Sequence, residues 1–371
     1  MAGHLGWFHN GLEGNVMEYR LLGRSGLKLS TITLGTMNFG SQGFFEKAGS
    51  FDLAGARRLI DIYRDAGGNI LDTANAYSTG VSETVIGEAL DGARKELMVA
   101  TKVRFPMGKG PNERGLSRRH IIAECEASLK RLRRDTIDLY QVHEWDGETP
   151  IEETIDALDA LQRSGKVRYI GCSNYSGWHI MKALAVSDAR HQARFVSQQI
   201  YYTLQGREAE YELLPISVDQ GLGILVWSPL AGGLLSGKYR RGKPMPDGRH
   251  LKDWGEPPVY DEKKLYDTIE VLVGIAEARG VPASVIALAW LLGRPAVTSV
   301  VIGARNEEQL KANLPAATLR LTDEENAKLH EVSAPTLIYP YWHQANTASD
   351  RLGAADLALL RPFLKSGSRM G

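Results

Sequence analysis

The chain has 371 residues, 43% hydrophobic and 24% charged, ordinary proportions for a globular protein able to bury one large core or two smaller ones. Its 44 basic residues balance 44 acidic ones, so no net field favours nucleic acid or an acidic membrane. Two cysteines, Cys125 and Cys172, make no disulfide framework and suit a reducing cytoplasm, and no apolar run approaches the ~20 residues of a membrane span.

The opening MAGHLGWFHNGLEGN is Gly-rich and lacks a basic start before an apolar core; no signal peptide is expected, and residues 1–17 read as disordered. Glu18 to Leu22 and Lys28 to Ile32 flank Gly23-Arg24-Ser25-Gly26, a hairpin placed to plug the bottom of whatever follows. Ile32 to Met37 reads as a strand. From Asp52 the apolar positions Leu53, Ala56, Leu59, Ile60 and Tyr63 recur at helical spacing and stop at Gly67-Gly68. A strand then enters Asp72, a helix runs from Ser82 to about Leu90, and a strand from Leu97 ends at Lys102-Val103.

The alternation continues with a helix after Ser117, a strand from Ile137 to His143, a helix from Ile151 to Gln162 and a strand from Val167 to Ser173. A helix follows Ser176, then a strand from Ala193 to Tyr202, a helix from Glu208 to about Gln220 and a strand from Gly223 to Ser228. Leu230 to Pro258 breaks the rhythm as a long Gly, Pro and basic loop, the kind that usually carries function. Helices at Asp261–Arg279 and Ala283–Leu292, a strand at Thr298–Ala304, a helix at Asn306–Leu314 and one after Thr322 complete the pattern, with residues 333–371 as a tail.

Eight strands each followed by a helix predict a (β/α)8 TIM barrel over residues 18–332. A doubly wound sheet would want Gly-x-Gly-x-x-Gly after an early strand, and none is present. Asp72, Tyr77, Lys102 and His143 lie at or just past the ends of three consecutive strands, where such barrels build their active sites. Each alone has a dull reading: a turn aspartate, a packing tyrosine, a structural histidine. Together they make chemical sense. Lys102 paired with Asp72 keeps both charges tolerable in a dry pocket. That ammonium beside the Tyr77 phenol lowers its pKa, so it can give a proton to a carbonyl oxygen as hydride arrives, while His143 holds the oxygen. The rival chemistries lack their parts: no His-x-His for a metal, no Gly-x-Ser-x-Gly elbow, and no second carboxylate closing the sixth or seventh strand for a glycosidase.

The segments DTANAYSTGVSETVIGEAL, VATK, QVHEWD, IGCSNYS, QQIYYTL, WSPLAGGLLSGKY and VVIGARNEEQLKANL, in that order, resemble the aldo-keto reductase superfamily over roughly Tyr19 to Val332. ERGLSRRHIIAECEASLKRL and the WSPLAGGLLSGKY loop look most like the potassium-channel β-subunits and their bacterial relatives. The resemblance implies an NADP(H)-dependent oxidoreductase interconverting an aldehyde or ketone and its alcohol, with Tyr77 as general acid/base and Asp72, Lys102 and His143 as its partners. The alternative it leaves is an NADP-binding regulatory or interaction subunit; in channel β-subunits an asparagine replaces the histidine that stands here as His143.

Cofactor residues carry over in the same way. Ser173, Asn174 and Gln199 correspond to the groups that hold the nicotinamide carboxamide, and Trp227 to the aromatic stacked on the ring. Ser228, Pro229, Leu230, Gly232 and Lys238 correspond to the pyrophosphate loop, and Gly303, Arg305, Gln309 and Asn313 to the adenosine 2′-phosphate segment. Gly35, Thr36, Met37 and Asp72 complete the expected contacts. The chain has Ala312 where many members have glutamate and Gln309 where many have arginine, which leaves Arg305 and Lys238 as the cations favouring NADP over NAD. For the substrate pocket the expectation is an aromatic wall of Met37, Phe39, Phe44, Phe45, Trp145 and Tyr202, with Tyr339, Tyr341, Trp342 and His343 of the tail as a lid over a bulky, polycyclic or sugar-like ligand. A cytoplasmic protein, monomer or homo-oligomer, with a small-molecule partner and neither nucleic acid nor membrane, completes the reading.

Overall fold

The computed structural model describes residues 17–43, 46, 50–244 and 257–364. Residues 1–16, Phe44, Phe45 and residues 245–256 of the long loop, all subjects of expectations above, lie outside the described residues. Met17, expected to belong to a disordered segment, is buried, and its sulfur accepts the Thr31 hydroxyl at 3.8 Å.

Eight strands close into a parallel barrel in the order β10-β3-β4-β5-β6-β7-β8-β9. They are β3 (Ile32–Gly35), β4 (Ile70–Asp72), β5 (Met98–Val103), β6 (Ile137–Val142), β7 (Val167–Ser173), β8 (Ser197–Tyr201), β9 (Gly223–Trp227) and β10 (Val297–Ile302). Helices α1 (Leu53–Asp65), α2 (Val81–Ala89), α3 (Arg118–Leu132), α4 (Ile151–Arg163), α5 (Gly177–Ala189), α6 (Leu213–Gln220), α7 (Glu262–Arg279), α8 (Ala283–Leu292), α9 (Glu307–Asn313) and α10 (Asp323–Ser333) follow and surround them. Side-chain caps that satisfy otherwise orphaned amides mark the starts of α1, α3, α7, α9 and α10: Asp52, Ser117, Asp261, Asn306 and Thr322 each accept from a first-turn N–H. No single helix among the described residues is long and apolar enough to cross a membrane.

The N-terminal hairpin pairs β1 (Tyr19–Leu21) antiparallel with β2 (Lys28–Ser30). It does plug the barrel bottom: Leu22 and Leu29 are fully buried in a cluster with Ile70, Ala100, Leu139, Leu225 and Val301 from the strands. Its turn demands glycine. Gly23 sits at φ +58°, and a Cβ there would meet the Gly221 carbonyl at 2.4 Å and the Val196 carbonyl at 2.6 Å. Arg20 then donates to the carbonyls of Leu292 (2.7 Å) and Val297 (2.8 Å), fastening the hairpin to the last turn of α8 and the start of β10. Burial, then the charge of Arg320, lowers its pKa to about 10.

Three expectations differ from the structure. The sixth barrel strand starts at Ser197 instead of Ala193, whose N–H goes to the Asp159 carboxylate at 2.9 Å. The helix expected from Glu208 is a single 3-10 turn, Glu208–Glu210, before α6; Glu210 is held there by a two-point pair with Arg207 and by the Tyr202 hydroxyl. The tail carries helices of its own, α11 (Tyr341–Thr347) and α12 (Ala354–Leu360), and α12 packs along α6.

Candidate active site

Side chains alternate along a strand, so residues two apart share the barrel interior. Two positions above the apolar plug layer, β4 presents Asp72 and β5 presents Lys102. Lys102 is fully buried, with its ammonium 2.6 Å from the Asp72 carboxylate, 2.9 Å from the Thr73 carbonyl and 3.3 Å from the Tyr77 hydroxyl. Gln199 donates to the other Asp72 oxygen at 2.8 Å, and Gln141 lies 3.4 Å from it. Burial alone would lower the Lys102 pKa; the charge of Asp72 and the Tyr77 phenol outweigh it and hold the group above its ordinary value, as an ammonium.

Tyr77 projects from a short 3-10 turn, Tyr77–Gly80, and faces His143 with ring centroids 6.0 Å apart. His143 follows β6, with Phe105 edge-on against it at 4.8 Å. Burial, reinforced by the charges of Lys102 and Arg104, pushes its pKa well below the histidine range, so the ring is neutral. Its Nδ1 is buried without a hydrogen-bond partner.

These groups open into one cavity of about 1000 Å³ at the C-terminal mouth of the barrel. Every position implied for the cofactor lines it: Gly35, Thr36, Met37, Asp72, Ser173, Asn174, Gln199, Trp227, Ser228, Pro229, Leu230, Gly232, Lys238, Gly303, Arg305, Gln309 and Asn313. Asn174, at φ +54°, is held between the Trp227 indole N–H (2.9 Å to its Oδ1) and the His143 carbonyl (3.2 Å from its Nδ2). The Ser173 hydroxyl is buried with no partner, a polar atom left for a ligand amide. Ser228, Ala231, Gly232, Gly233 and Gly237 all have positive φ, and the Ser228 hydroxyl accepts from the Gly232 N–H at 3.2 Å. The cations Lys238 and Arg305 line the same cavity as Trp227. A dinucleotide fits this lining, which combines the polar groups of Ser173, Asn174 and Gln199, the small residues Gly232 and Gly303, and the cations Lys238 and Arg305.

The substrate wall is corrected. Phe39 is fully buried against Phe51, and Tyr202 is fully buried with its hydroxyl on Glu210; neither reaches the cavity. Trp145 does not line the cavity and is stacked on His179 at 4.0 Å. Tyr341 stacks on Tyr211 beside α6, and Trp342 lies against Tyr339 and His343; none of the described tail residues lines the cavity. The positions that do line it beside Tyr77 include Asn38, Ala76, Phe105 and Glu144. Glu144 is partly exposed and lies 3.5 Å from the Arg104 guanidinium. Phe105 and Glu144 lie two residues beyond the ends of β5 and β6, the loop positions where barrel enzymes place their site residues, so strand-end position is the signal that would have found them.

The chain belongs to the aldo/keto reductase family, whose model matches residues 31–334. It is an oxidoreductase of the class that acts on small carbonyl compounds, and its closed eight-stranded barrel is the architecture of that family. It is 41% identical over 327 residues to the "Uncharacterized oxidoreductase YrpG" of Bacillus subtilis (strain 168), covering 85% of this chain and 96% of that protein. It is also 35% identical over 309 residues to a "Probable voltage-gated potassium channel subunit beta" of Arabidopsis thaliana (81% of this chain, 91% of that one). A protein of the same name from Oryza sativa subsp. japonica is 36% identical over 308 residues, with the same coverage.

Proposed function

We propose that this protein is an NADPH-dependent reductase that interconverts an aldehyde or ketone and its alcohol, with Tyr77 as general acid/base. The observation that carries the reading is the Lys102 ammonium bridging the Asp72 carboxylate and the Tyr77 hydroxyl beside a neutral His143. A nicotinamide, when bound, supplies or accepts the hydride. Tyr77 gives its proton to the carbonyl oxygen, and the adjacent ammonium stabilises the phenolate that remains. Neutral His143 has a ring N–H to donate to the same oxygen, which orients the carbonyl without adding a cation that would compete with Lys102. Asp72, fixed by Lys102 and Gln199, keeps that ammonium charged in a site with little water. Arg305 and Lys238 in the cavity lining support a 2′-phosphate and so NADP over NAD.

The wall beside Tyr77 supports a neutral carbonyl compound bearing hydroxyl groups, because the Glu144 carboxylate accepts hydrogen bonds and repels anions. With Phe39, Tyr202 and the described tail residues away from the cavity, the reading of a large polycyclic ligand under an aromatic lid loses the support of those residues.

Relatives named as channel β-subunits favour a second reading, a cofactor-loaded regulatory subunit. The complete tetrad, His143 included, favours the enzyme. The test is Tyr77→Phe against a panel of aldehydes, ketones and secondary alcohols, followed by NADPH absorbance. Turnover should fall by roughly 10²–10⁴-fold with cofactor affinity little changed. More than about a tenth of wild-type activity in the variant would reject Tyr77 as the proton donor. Wild-type protein inert on the whole panel, yet purified with bound NADP, would favour the regulatory subunit.

A further inference from the structure

Glu83 is a fully buried carboxylate that takes no part in the chemistry above. It stands on the first turn of α2, just after the turn that carries Tyr77. One oxygen accepts the Thr101 hydroxyl at 2.5 Å, and Thr101 directly precedes Lys102 on β5. The other accepts the Arg131 guanidinium of α3 at 2.6 Å. Arg131 also reaches Glu124 at 3.4 Å and the Ser128 hydroxyl at 3.2 Å, and Glu124 accepts from the Asn75 side chain at 3.0 Å. Asn75 lies two residues before Tyr77, and its backbone N–H reaches the Lys102 carbonyl at 3.2 Å. A closed ring thus runs from the turn before Tyr77, through α3, to α2 after it, and on to the strand that carries Lys102.

The turn inside this ring is strained. Ser78 and Thr79 hold φ of +49° and +53°, and Gly80 holds +91°. The left-handed region is unfavourable for serine and threonine and persists only where the surroundings over-determine it. The Ser78 hydroxyl accepts from the Gln42 N–H at 3.1 Å on one side of the turn, and Arg131 supplies the surrounding on the other. A Cβ on Gly80 would meet its Cδ at 2.7 Å and its Nε at 2.9 Å, so the guanidinium stem lies directly beneath the turn.

We propose that Arg131 is a positioning residue that, through its Glu83 and Glu124 partners, fixes the distance between the Tyr77 hydroxyl and the Lys102 ammonium. The ring grips both carriers at once: the turn of Tyr77 from two sides and β5 at the residue next to Lys102. Removing Arg131 releases the turn toward ordinary backbone angles and lets the phenol drift from the ammonium. Misplacement by about 1 Å is enough to cost a hundredfold in rate. The inference rests on the reading of Tyr77 as proton donor, but the separation of phenol and ammonium can be read without turnover.

The test uses the full-length protein with NADPH. Arg131→Met alone would strand the Glu83 carboxylate, so the main variant is Glu83→Gln with Arg131→Met, which removes both charges and leaves Thr101 an acceptor; Arg131→Lys is the conservative partner. The double variant should lower kcat by roughly 10–100-fold, with the NADPH Kd within about twofold of wild type. The Tyr77 phenol, read by ultraviolet difference titration against Tyr77→Phe, should ionise at higher pH once the ammonium is farther away. Arg131→Lys should recover part of both. A double variant with kcat near wild type overturns the proposal, and so does a loss of kcat with the phenol titration unmoved, because that is a merely structural role. If the double variant does not fold, Arg131→Lys carries the test: an unmoved phenol titration and unchanged kcat in it overturn the proposal. Should Tyr77→Phe remain active, the function assigned to Tyr77 fails, while the titration still decides whether the ring holds the phenol in place.

Discussion

The lower and upper layers of the barrel interior are built from the same strands and differ in almost everything else. Below lie Ile70, Ala100, Leu139 and Leu225, sealed by Leu22 and Leu29 of the hairpin. Two residues further along those strands stand Asp72, Lys102, Gln141 and Trp227, joined by charge-assisted hydrogen bonds around one carboxylate or facing the cavity. One pleat separates the layer that holds the barrel shut from the layer that reacts. The lower layer gains by excluding water from apolar surface; the upper one survives the loss of water only because every charge has a partner. A barrel can therefore change its chemistry at the top without renegotiating its closure at the bottom.

That separation can be broken most forcefully at the top. Lys102→Met should abolish turnover and also destabilise the fold by about 3–5 kcal/mol, because Asp72 is left buried and unpaired. Adding Asp72→Asn should restore most of the stability and none of the activity, as read by urea unfolding and NADPH oxidation. A single variant as stable as wild type would mean that the charges are not interdependent.

At the bottom, Leu29→Ala should cost about 2–4 kcal/mol of stability and leave kcat per folded molecule unchanged. A matching fall in kcat would show that the layers are coupled.

A third and smaller effect is pH-dependent. His143 at the mouth and His330 on α10 both have lowered pKa values, the latter to about 4 through burial and the charge of Arg207. Below the ordinary histidine value of about 6.5 the unfolded chain binds protons that the folded one refuses, so stability is complete above that pH and falls as pH drops. Thermal melts from pH 7 to pH 4 should show the decline, and His143→Asn should make it shallower. A decline of identical slope in the variant would remove His143 from the account.

The smallest expected change is one of selectivity. Glu144→Gln should raise kcat/KM for 4-carboxybenzaldehyde relative to benzaldehyde by roughly fivefold, the worth of about 1 kcal/mol of relieved repulsion near the mouth. An unchanged ratio would place Glu144 outside the reach of the substrate.

Much of this was readable in the chain because local chemistry and tertiary role coincide. The strand Val167–Ser173 stands where its apolar pattern put it, Asp52 caps α1, and the hairpin fills the bottom. The tetrad stood out because charged and phenolic groups at consecutive strand ends are hard to explain otherwise. The substrate wall was not readable, and the reason is physical. Phe39, in the loop after β3, and Tyr202, just past β8, look the same in sequence whether they face the cavity or the helices, and the local backbone, a bridge to Phe51 in the one case and the pleat in the other, decides which. The tail misled for a related reason. Its aromatic run signals burial against something, and Tyr341 does find a partner, but on Tyr211 beside α6 and not over the mouth.

The bond between Arg20 and the carbonyls of Leu292 and Val297 also sets an order of events. The first strands of the barrel have no neighbour on one side until β10 exists, and the Thr33 hydroxyl meets Ser299 at 2.7 Å only when the seam closes. At synthesis rates of about 5–20 residues per second, β3 waits roughly 13–53 s with an open edge before its last partner is made. Contacts of such sequence separation are slow to form, and an unpaired strand edge is exposed to aggregation for as long as it waits. The hairpin cannot shorten that wait, because Leu22 and Leu29 find their burial only against the barrel strands and Arg20 finds its carbonyls only once α8 and β10 are made.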